Sequence, residues 1–297
     1  MAVSLDRGGR LLTREFVLPT GIRVVNVGAV MHRRLLTWAV ALVLAAVGLA
    51  GCGGADGIGR SGSGARPTIV VEHGAFTDAS GWDAVVGRLR SRGYDVLAPA
   101  NPLRGVAADA AYLSSVLKTI EGPIVLVGHS YGGAVITNAA VGVPRVKALV
   151  YIAAVAPEEG ESQLDIFARF PGSLLGPSTI VERKFPGGVD QYVRVESFRD
   201  VFSADLPAGE VATAAATQRP LAKVAGSEKS GPPAWRTIPS WFMVATEDHA
   251  IPPAAERFMA KRARAHTVEV KSSHTVMLSH PGAVAKLILA AARHAGG

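Results

Sequence analysis

The sequence predicts an α/β fold, with one mostly parallel sheet of six strands and helices on both faces. From residue 67 onward, short apolar runs of strand length alternate with amphipathic segments of helical length. The apolar runs are continuous, as in Ile124 to Val127, which is typical of strands that are buried on both faces. Because parallel strands joined through helices cross over in a right-handed sense, we expect these segments to share one sheet.

The predicted strands and helices follow one another in the order that such a sheet requires. The first helix, for example, carries Trp82, Val85, Val86 and Leu89 at helical spacing. The strands are predicted at 68–71, 94–98, 124–127, 146–153, 241–245 and 267–270, and the helices at 82–92, 107–120, 133–141, 254–263 and 283–294.

The regular alternation breaks after Pro157. About eighty residues follow that contain several prolines and glycines and show only short helical patterns. We expect this insertion after the fourth strand, residues 157–239, to form a cap over the carboxyl ends of the strands. That edge is where open α/β sheets bind their ligands.

An export signal is predicted ahead of the domain. Met31-His32-Arg33-Arg34 is a short positive segment, and the apolar segment Leu35 to Ala50 follows it. This segment is shorter than the roughly 18 residues expected of a membrane-spanning helix. Met31 is a suitable start, so we interpret residues 1–30 as an over-long reading of the gene. Residues 1–51 are therefore assigned to an upstream extension and a signal peptide.

The signal ends at Leu49-Ala50-Gly51-Cys52, and Cys52 is the only cysteine of the chain. This ending resembles the lipobox of bacterial lipoproteins, in which the cysteine becomes the lipidated first residue. The resemblance implies export and a membrane anchor at Cys52, while a cleaved signal without lipid and an uncleaved helix remain alternatives. Residues 52–66 are rich in Gly and Ser, which predicts a flexible tether to a folded domain at 67–297.

Composition argues against several classes of partner and cofactor. The net charge is +7, but residues 51–297 hold 25 basic and 22 acidic side chains. No basic run is interleaved with aromatic residues, so we expect no nucleic-acid partner. A lone cysteine allows neither an intrachain disulfide nor a cysteine-based zinc site. The sequence has no cluster typical of metal ligands and no nucleotide-binding glycine loop, so we expect no metal and no cofactor.

Ser130 is the candidate nucleophile. The stretch Gly128-His129-Ser130-Tyr131-Gly132 fits the pattern G-x-S-x-G between a predicted strand and a predicted helix. This is the context of a nucleophile elbow, a sharp turn that exposes the serine hydroxyl. The glycines would leave room where strand and helix approach each other. A glycine-rich turn with an incidental serine is the alternative.

A serine hydroxyl needs a base to take its proton. In the elbow architecture, an acid and then a histidine follow the nucleophile along the chain. Asp248 comes after the strand at 241–245, and His274 comes directly after the strand at 267–270. The carboxyl ends of parallel strands meet at one edge of the sheet, so Ser130, Asp248 and His274 form the candidate triad. Other candidates are Glu247, Glu158 and Glu159 for the acid, and His129, His249 and His280 for the base.

The chemistry also needs hydrogen-bond donors for a developing oxyanion. One is expected to be the backbone N–H of Tyr131, directly after the nucleophile. The second is expected in the loop after the first strand, where Gly74 allows a turn and the N–H of Ala75 is the candidate. His73 precedes them, and we interpret its side chain as a structural group that holds the turn.

Together these motifs resemble the α/β-hydrolase superfamily over about residues 67–294. The HGAF…W opening is particularly similar to the small esterase and hydroxynitrile-lyase branch. Many members have two antiparallel strands before the first parallel strand, and the tether leaves no room for them here. The matching stretches are VVEHGAFTDASGWDAVVGRLRSRGYDVLAPANP for the oxyanion loop, VLVGHSYGG for the elbow, ATEDHAIPP for the acid loop and SSHTVMLSHP for the histidine loop.

The resemblance implies the α/β-hydrolase fold and a triad of Ser130, His274 and Asp248. It also implies a serine esterase that cleaves a small acyl substrate through an acyl-enzyme. A weakly catalytic relative that binds small molecules, and a lyase that uses the same three residues, are the alternatives.

Overall fold

The computed structural model describes residues 66–296, and within this range the chain forms nine strands. Six of them build the main sheet, in the order β2-β1-β3-β4-β8-β9, and all neighbouring pairs are parallel. The predicted parallel sheet of six strands is therefore confirmed. The strands are β1 (Thr68–Glu72), β2 (Val96–Leu97), β3 (Ile124–Ser130), β4 (Val146–Ala154), β5 (Ile180–Phe185), β6 (Gly188–Val193), β7 (Leu221–Ala222), β8 (Ser240–Ala245) and β9 (His266–Val270).

The α-helices of the described residues lie between these strands and after them. They are α1 (Asp83–Arg90), α2 (Val106–Leu117), α3 (Tyr131–Ala139), α4 (Gln163–Arg169), α5 (Phe198–Phe202), α6 (Ala208–Thr217), α7 (Pro253–Arg262), α8 (Val276–Ser279) and α9 (Pro281–Ala295).

Two apolar clusters, one on each face, bury the main sheet. On one face, Val127 of β3 shares a cluster with Trp82 before α1 and with Ile288 of α9. On the other face, Leu126 of β3 shares a cluster with Leu113 of α2. Neighbouring residues of a strand point to opposite faces, which explains why the strand sequences are continuously apolar. A fully buried side chain of this size contributes about 2 kcal/mol relative to an exposed one.

The bounds of two strands differ most from the prediction. β2 was predicted at 94–98 but contains only Val96 and Leu97, because it is an edge strand that pairs with β1 alone. β3 continues three residues beyond the predicted end at Val127. It lies between β1 and β4, so both ladders extend it to the elbow, and Ser130 still pairs with Ala154.

The insertion between β4 and β8 is more regular than predicted. It contains helices α4 to α6 and a separate antiparallel sheet of strands β5, β6 and β7. The helices are short, with 7, 5 and 10 residues, as the sequence predicts, but the antiparallel sheet was not predicted. Most of β5 is exposed, so Ile180–Phe185 lacks the apolar pattern that identifies a buried strand. The hairpin turns at Gly187, whose φ is +109°.

The predictions for the start of the chain lie outside the described residues. These are the start at Met31, the signal peptide, the tether and lipidation at Cys52. Arg66, assigned to the end of the tether, is described: its guanidinium donates to the carbonyls of Arg92 (3.1 Å) and Gly93 (2.7 Å). Between residues 66 and 296, every helix is too short or too polar to cross a membrane.

Candidate active site

A strained turn presents Ser130 where β3 meets α3. Ser130 has φ of +54° and ψ of −126°, which is an uncommon conformation for a residue with a side chain. Such strain persists only where the surrounding structure enforces it, and it is common at functional sites. Gly132 makes the tight turn possible, because a Cβ atom there would lie 2.8 Å from the carbonyl oxygen of Glu72 in β1. The predicted clearance between strand and helix is thus present.

The three predicted triad residues meet at the carboxyl edge of the sheet. His274 Nε2 lies 2.8 Å from Ser130 Oγ, and His274 Nδ1 lies 2.5 Å from Asp248 Oδ2. A carboxylate can only accept, so the Nδ1–H of His274 donates to it and Nε2 accepts the serine proton. Asp248 Oδ1 accepts from the amides of Ala250 (2.7 Å) and Ile251 (2.8 Å), which fixes the carboxylate. This arrangement can activate a serine hydroxyl.

The alternative acids have other partners. Glu247 is exposed and lies 3.5 Å from Lys271. Glu158 and Glu159 both pair with Arg236, at 2.7 and 3.4 Å. In this structure, therefore, Asp248 is the one of the four candidate carboxylates that bonds to His274.

The alternative histidines also lie elsewhere or act differently. His249 is exposed and bonds through Nδ1 to the carbonyl of Asp200, and His280 bonds to Ser279. His129 is fully buried, and its Nε2–H donates to the backbone carbonyl of His274 at 3.0 Å. Burial lowers the pKa of His129 well below its usual range, and the neighbouring His274 lowers it further. His129 is therefore a neutral support for the histidine loop.

The loop after β1 lies against the nucleophile. A Cβ atom on Gly74 would lie 2.6 Å from the Cβ of Ser130, so only glycine lets this backbone come so close. Ala75 follows and is buried, and its amide stays the predicted second oxyanion donor. The next amide, that of Phe76, donates to the carbonyl of Arg219 at 3.0 Å.

The side chain of His73 holds this loop. The backbone N–H of Asn101 donates to His73 Nε2 at 2.9 Å, so Nδ1 carries the proton and donates to the carbonyl of Gly74, also at 2.9 Å. Burial lowers the pKa of His73, which favours the neutral ring that can make both bonds. The geometry fits the structural role expected for His73.

The other predicted oxyanion donor is the backbone amide of Tyr131, whose side chain is held by a hydrogen bond. The Tyr131 hydroxyl donates to Asp109 Oδ2 at 2.8 Å, and both side chains are buried. Burial raises the pKa of the Asp109 carboxyl. The hydrogen bonds that it accepts from Arg104, Tyr131 and Gly105 lower this pKa, but the effect of burial is larger. This bond fixes the first residue of α3 against α2.

Sequence reasoning missed Asp205, which connects the insertion to the histidine loop. Its Oδ2 accepts from Ser272 Oγ (3.0 Å) and from the amide of Ser273 (3.2 Å), and its Oδ1 accepts from Ser273 Oγ. Burial of Asp205 favours the neutral acid, but the hydrogen bonds from Ser273, Ser279 and Ser272 prevail and lower its pKa. The residue thus clamps the loop that carries His274.

A second set of bonds reinforces the clamp on the other side of His274. The amide of Thr275 donates to the carbonyl of Phe202 at 3.2 Å, and Thr275 Oγ1 donates to Ser203 Oγ at 3.1 Å. The ring of Phe202 meets the His274 ring edge to face, with centroids 4.7 Å apart. The segment 202–205 of the insertion therefore holds the base in place.

Glu256 was also missed and lies behind the acid. Its side chain is fully buried, and its Oε2 accepts from the amide of Ala245 at 3.2 Å. Burial, together with the negative charge of Asp248, raises the pKa of Glu256 well above its usual range. This shift favours the neutral form of the Glu256 carboxyl, which lies beside Asp248.

An apolar cavity of about 560 Å³ lies between the insertion and the main sheet. Phe76, Phe198, Phe202 and Leu278 line it, while the triad residues lie behind this lining. Phe202 joins the two, since its ring contacts both the cavity and His274. Asp78 and Glu210 are the charged residues of the lining within the described part of the chain, so the otherwise mostly apolar cavity disfavours anionic groups.

The described residues contain no cluster of potential metal ligands. Between Arg66 and Gly296, no group of three or more His, Cys, Asp or Glu side chains is arranged to hold an ion.

Comparisons with known proteins show which family and fold this chain resembles. Residues 69–287 match a family model described as the alpha/beta hydrolase family. An alpha/beta hydrolase from Aspergillus novofumigatus is 26% identical over 255 residues, which is 77% of this chain and 98% of that protein. A pyrethroid hydrolase from Sphingobium wenxiniae is 29% identical over 256 residues, covering 74% of this chain and 85% of that protein. The crystal structure of a pyrethroid hydrolase from Sphingobium faniae superposes with a TM-score of 0.64 at 24% identity, covering 76% of this chain and 97% of that one.

Proposed function

This chain belongs to the alpha/beta hydrolase family, and we propose that it is a serine esterase that cleaves small carboxylic esters. The observation that carries the proposal is the unbroken line of hydrogen bonds from Asp248 through His274 to Ser130. The relative named as a pyrethroid hydrolase supports ester or related acyl substrates.

The reaction follows from the geometry of the three side chains. Ser130 Oγ attacks the ester carbonyl while its proton moves to His274 Nε2, and Asp248 stabilises the imidazolium that forms. The amides of Ala75 and Tyr131 donate to the oxyanion. The imidazolium then returns its proton to the leaving alcohol, which leaves an acyl group on Ser130. A water molecule, deprotonated by His274, attacks this ester and releases the acid.

The apolar cavity beside Phe202 supports a substrate with an uncharged apolar portion. Carboxylates at Asp78 and Glu210, without a cation in the described lining, would repel an anionic substrate. Neutral esters with an apolar acyl or alcohol part are therefore the proposed class.

A fluorophosphonate probe tests the proposed nucleophile. We expect the full-length protein to form a covalent adduct, and peptide mapping by mass spectrometry to place it on Ser130. Heat-unfolded protein is the control and should remain unlabelled, because a free serine hydroxyl is a poor nucleophile. A folded protein that fails to react, or an adduct on another serine, would contradict the esterase and favour a ligand-binding relative.

We also propose that the enzyme is exported and anchored to the membrane through a lipid on Cys52. The support is the sequence alone: a positive segment, an apolar segment and then the only cysteine. Metabolic labelling with a palmitate analogue in a bacterial host should give a lipid-labelled protein. The Cys52→Ser variant should incorporate no labelled lipid. Labelling that persists in this variant would contradict the proposal.

A further inference from the structure

Five exposed cations lie close together where α1 and α9 meet, at the amino edge of the main sheet. Arg88, Arg92, Lys286 and Arg293 line a surface cleft of about 470 Å³. Arg66 adjoins it, since its guanidinium donates to the carbonyl of Arg92 itself. We call these five side chains the basic face.

Within the described part of the chain, the cations of the basic face have no acidic partner. Among residues 66–296, no carboxylate oxygen lies within 4.0 Å of any of the five. Seven other cations do form such pairs: Arg104, Lys223, Lys229, Arg236, Arg257, Arg262 and Lys271. Residues 66–297 hold 24 basic and 21 acidic side chains, an excess of three, and five of the basic side chains are gathered on this face. A concentrated, unneutralised charge of one sign attracts an anionic partner.

The position of the basic face indicates which anionic partner it meets. The described chain begins there: Arg66 binds the turn before β2, and a Cβ atom on Gly296, just after α9, would lie 3.5 Å from Pro67. The chain that precedes Arg66 is therefore attached to the domain at this edge. A basic patch next to a lipid anchor is a common second signal for membrane binding.

We propose that the basic face docks on the anionic phospholipid headgroups of a membrane. Lys and Arg side chains near such a surface each contribute to binding, and an anchor at the same edge would bring them to it. Ser130 lies at the opposite end of β3, roughly 20 Å away along a seven-residue strand. Docking therefore turns the active site away from the bilayer, so substrates reach it from the aqueous side.

Hydrogen exchange on the full-length protein tests the docking. The protein is mixed with vesicles of phosphatidylcholine alone, or with part of it replaced by phosphatidylglycerol. We expect amides in residues 86–94 and 284–296 to exchange more slowly only with the anionic vesicles. The slowing should disappear at about 1 M salt, where the Debye length is roughly 3 Å.

Two charge-reversal variants make the test specific. The double variant Arg92→Glu with Arg293→Glu should raise the lipid concentration that gives half of the maximal protection at least about 25-fold. Each lost cation accounts for a factor of about five. The control variant Arg183→Glu with Lys184→Glu changes the net charge by the same amount, but on the exposed strand β5 of the insertion. It should leave the protection unchanged. Equal protection on neutral vesicles, loss of protection in the β5 variant, or protection by inorganic phosphate without vesicles would each overturn the proposal.

Discussion

Replacing Ser130 by alanine should lower kcat for a neutral ester by about 10⁶-fold. The hydroxyl supplies the atom that forms the acyl-enzyme, and His274 Nε2, 2.8 Å away, has no other role in the first step. The activity that remains would come from the oxyanion donors and from substrate binding. Steady-state kinetics on p-nitrophenyl acetate, with the melting temperature measured alongside, provides the check.

The same experiment should show that the serine and the histidine act as a unit. His274→Ala should lower kcat to a similar level, and the double variant should be no worse than either single one. Ser91→Ala is the matched control, because the hydroxyl of this exposed serine donates to the carbonyl of Arg88 at the end of α1, away from the candidate site. A Ser130→Ala enzyme that keeps a tenth of its activity would contradict the mechanism.

The candidate nucleophile could be predicted because its requirements are local. A nucleophilic serine in a sharp turn between strand and helix needs glycines within two positions, and this pattern can be identified in the sequence. The acid and the base could be placed because each directly follows a strand, and parallel strands bring their carboxyl ends together. Two observations were enough to place Asp248 and His274: their order along the chain and their positions after strands. In the structure their side chains are hydrogen-bonded to each other.

The clamp formed by Asp205 illustrates what sequence reasoning could not reach. Its partners Ser272 and Ser273 are 67 and 68 positions away, and neither residue type has a pattern that indicates the pairing. The strands of the insertion were not predicted for a related reason. β5 is largely exposed, so its sequence lacks the apolar spacing by which a buried strand is recognised.

These missed features have one consequence in common for the mechanism. The base is held by the insertion as well as by the sheet: Asp205 binds the serines before His274, and Phe202 and Ser203 bind Thr275 after it. A rearrangement of the segment 202–205 would therefore move His274 relative to Ser130. Phe202, which lines the apolar cavity, therefore also contributes to the position of the base.

Replacing Asp248 by asparagine should lower kcat by about 10⁴-fold while the fold stays intact. The asparagine oxygen can still accept from the amides of Ala250 and Ile251, so its amide nitrogen would face His274. That nitrogen donates, and His274 would then keep its proton on Nε2 and could not accept one from Ser130. The rate of adduct formation with a fluorophosphonate should fall in parallel with kcat.

Glu247→Gln is the matched control, since it makes the same chemical change at the neighbouring position. Glu247 is exposed and faces Lys271, so kcat and probe reactivity should stay at the wild-type level. The reverse result, with activity lost at 247 and kept at 248, would move the acid to the adjacent residue. Because the two variants differ only in which carboxylate becomes an amide, a difference between them reports the bond to His274 Nδ1.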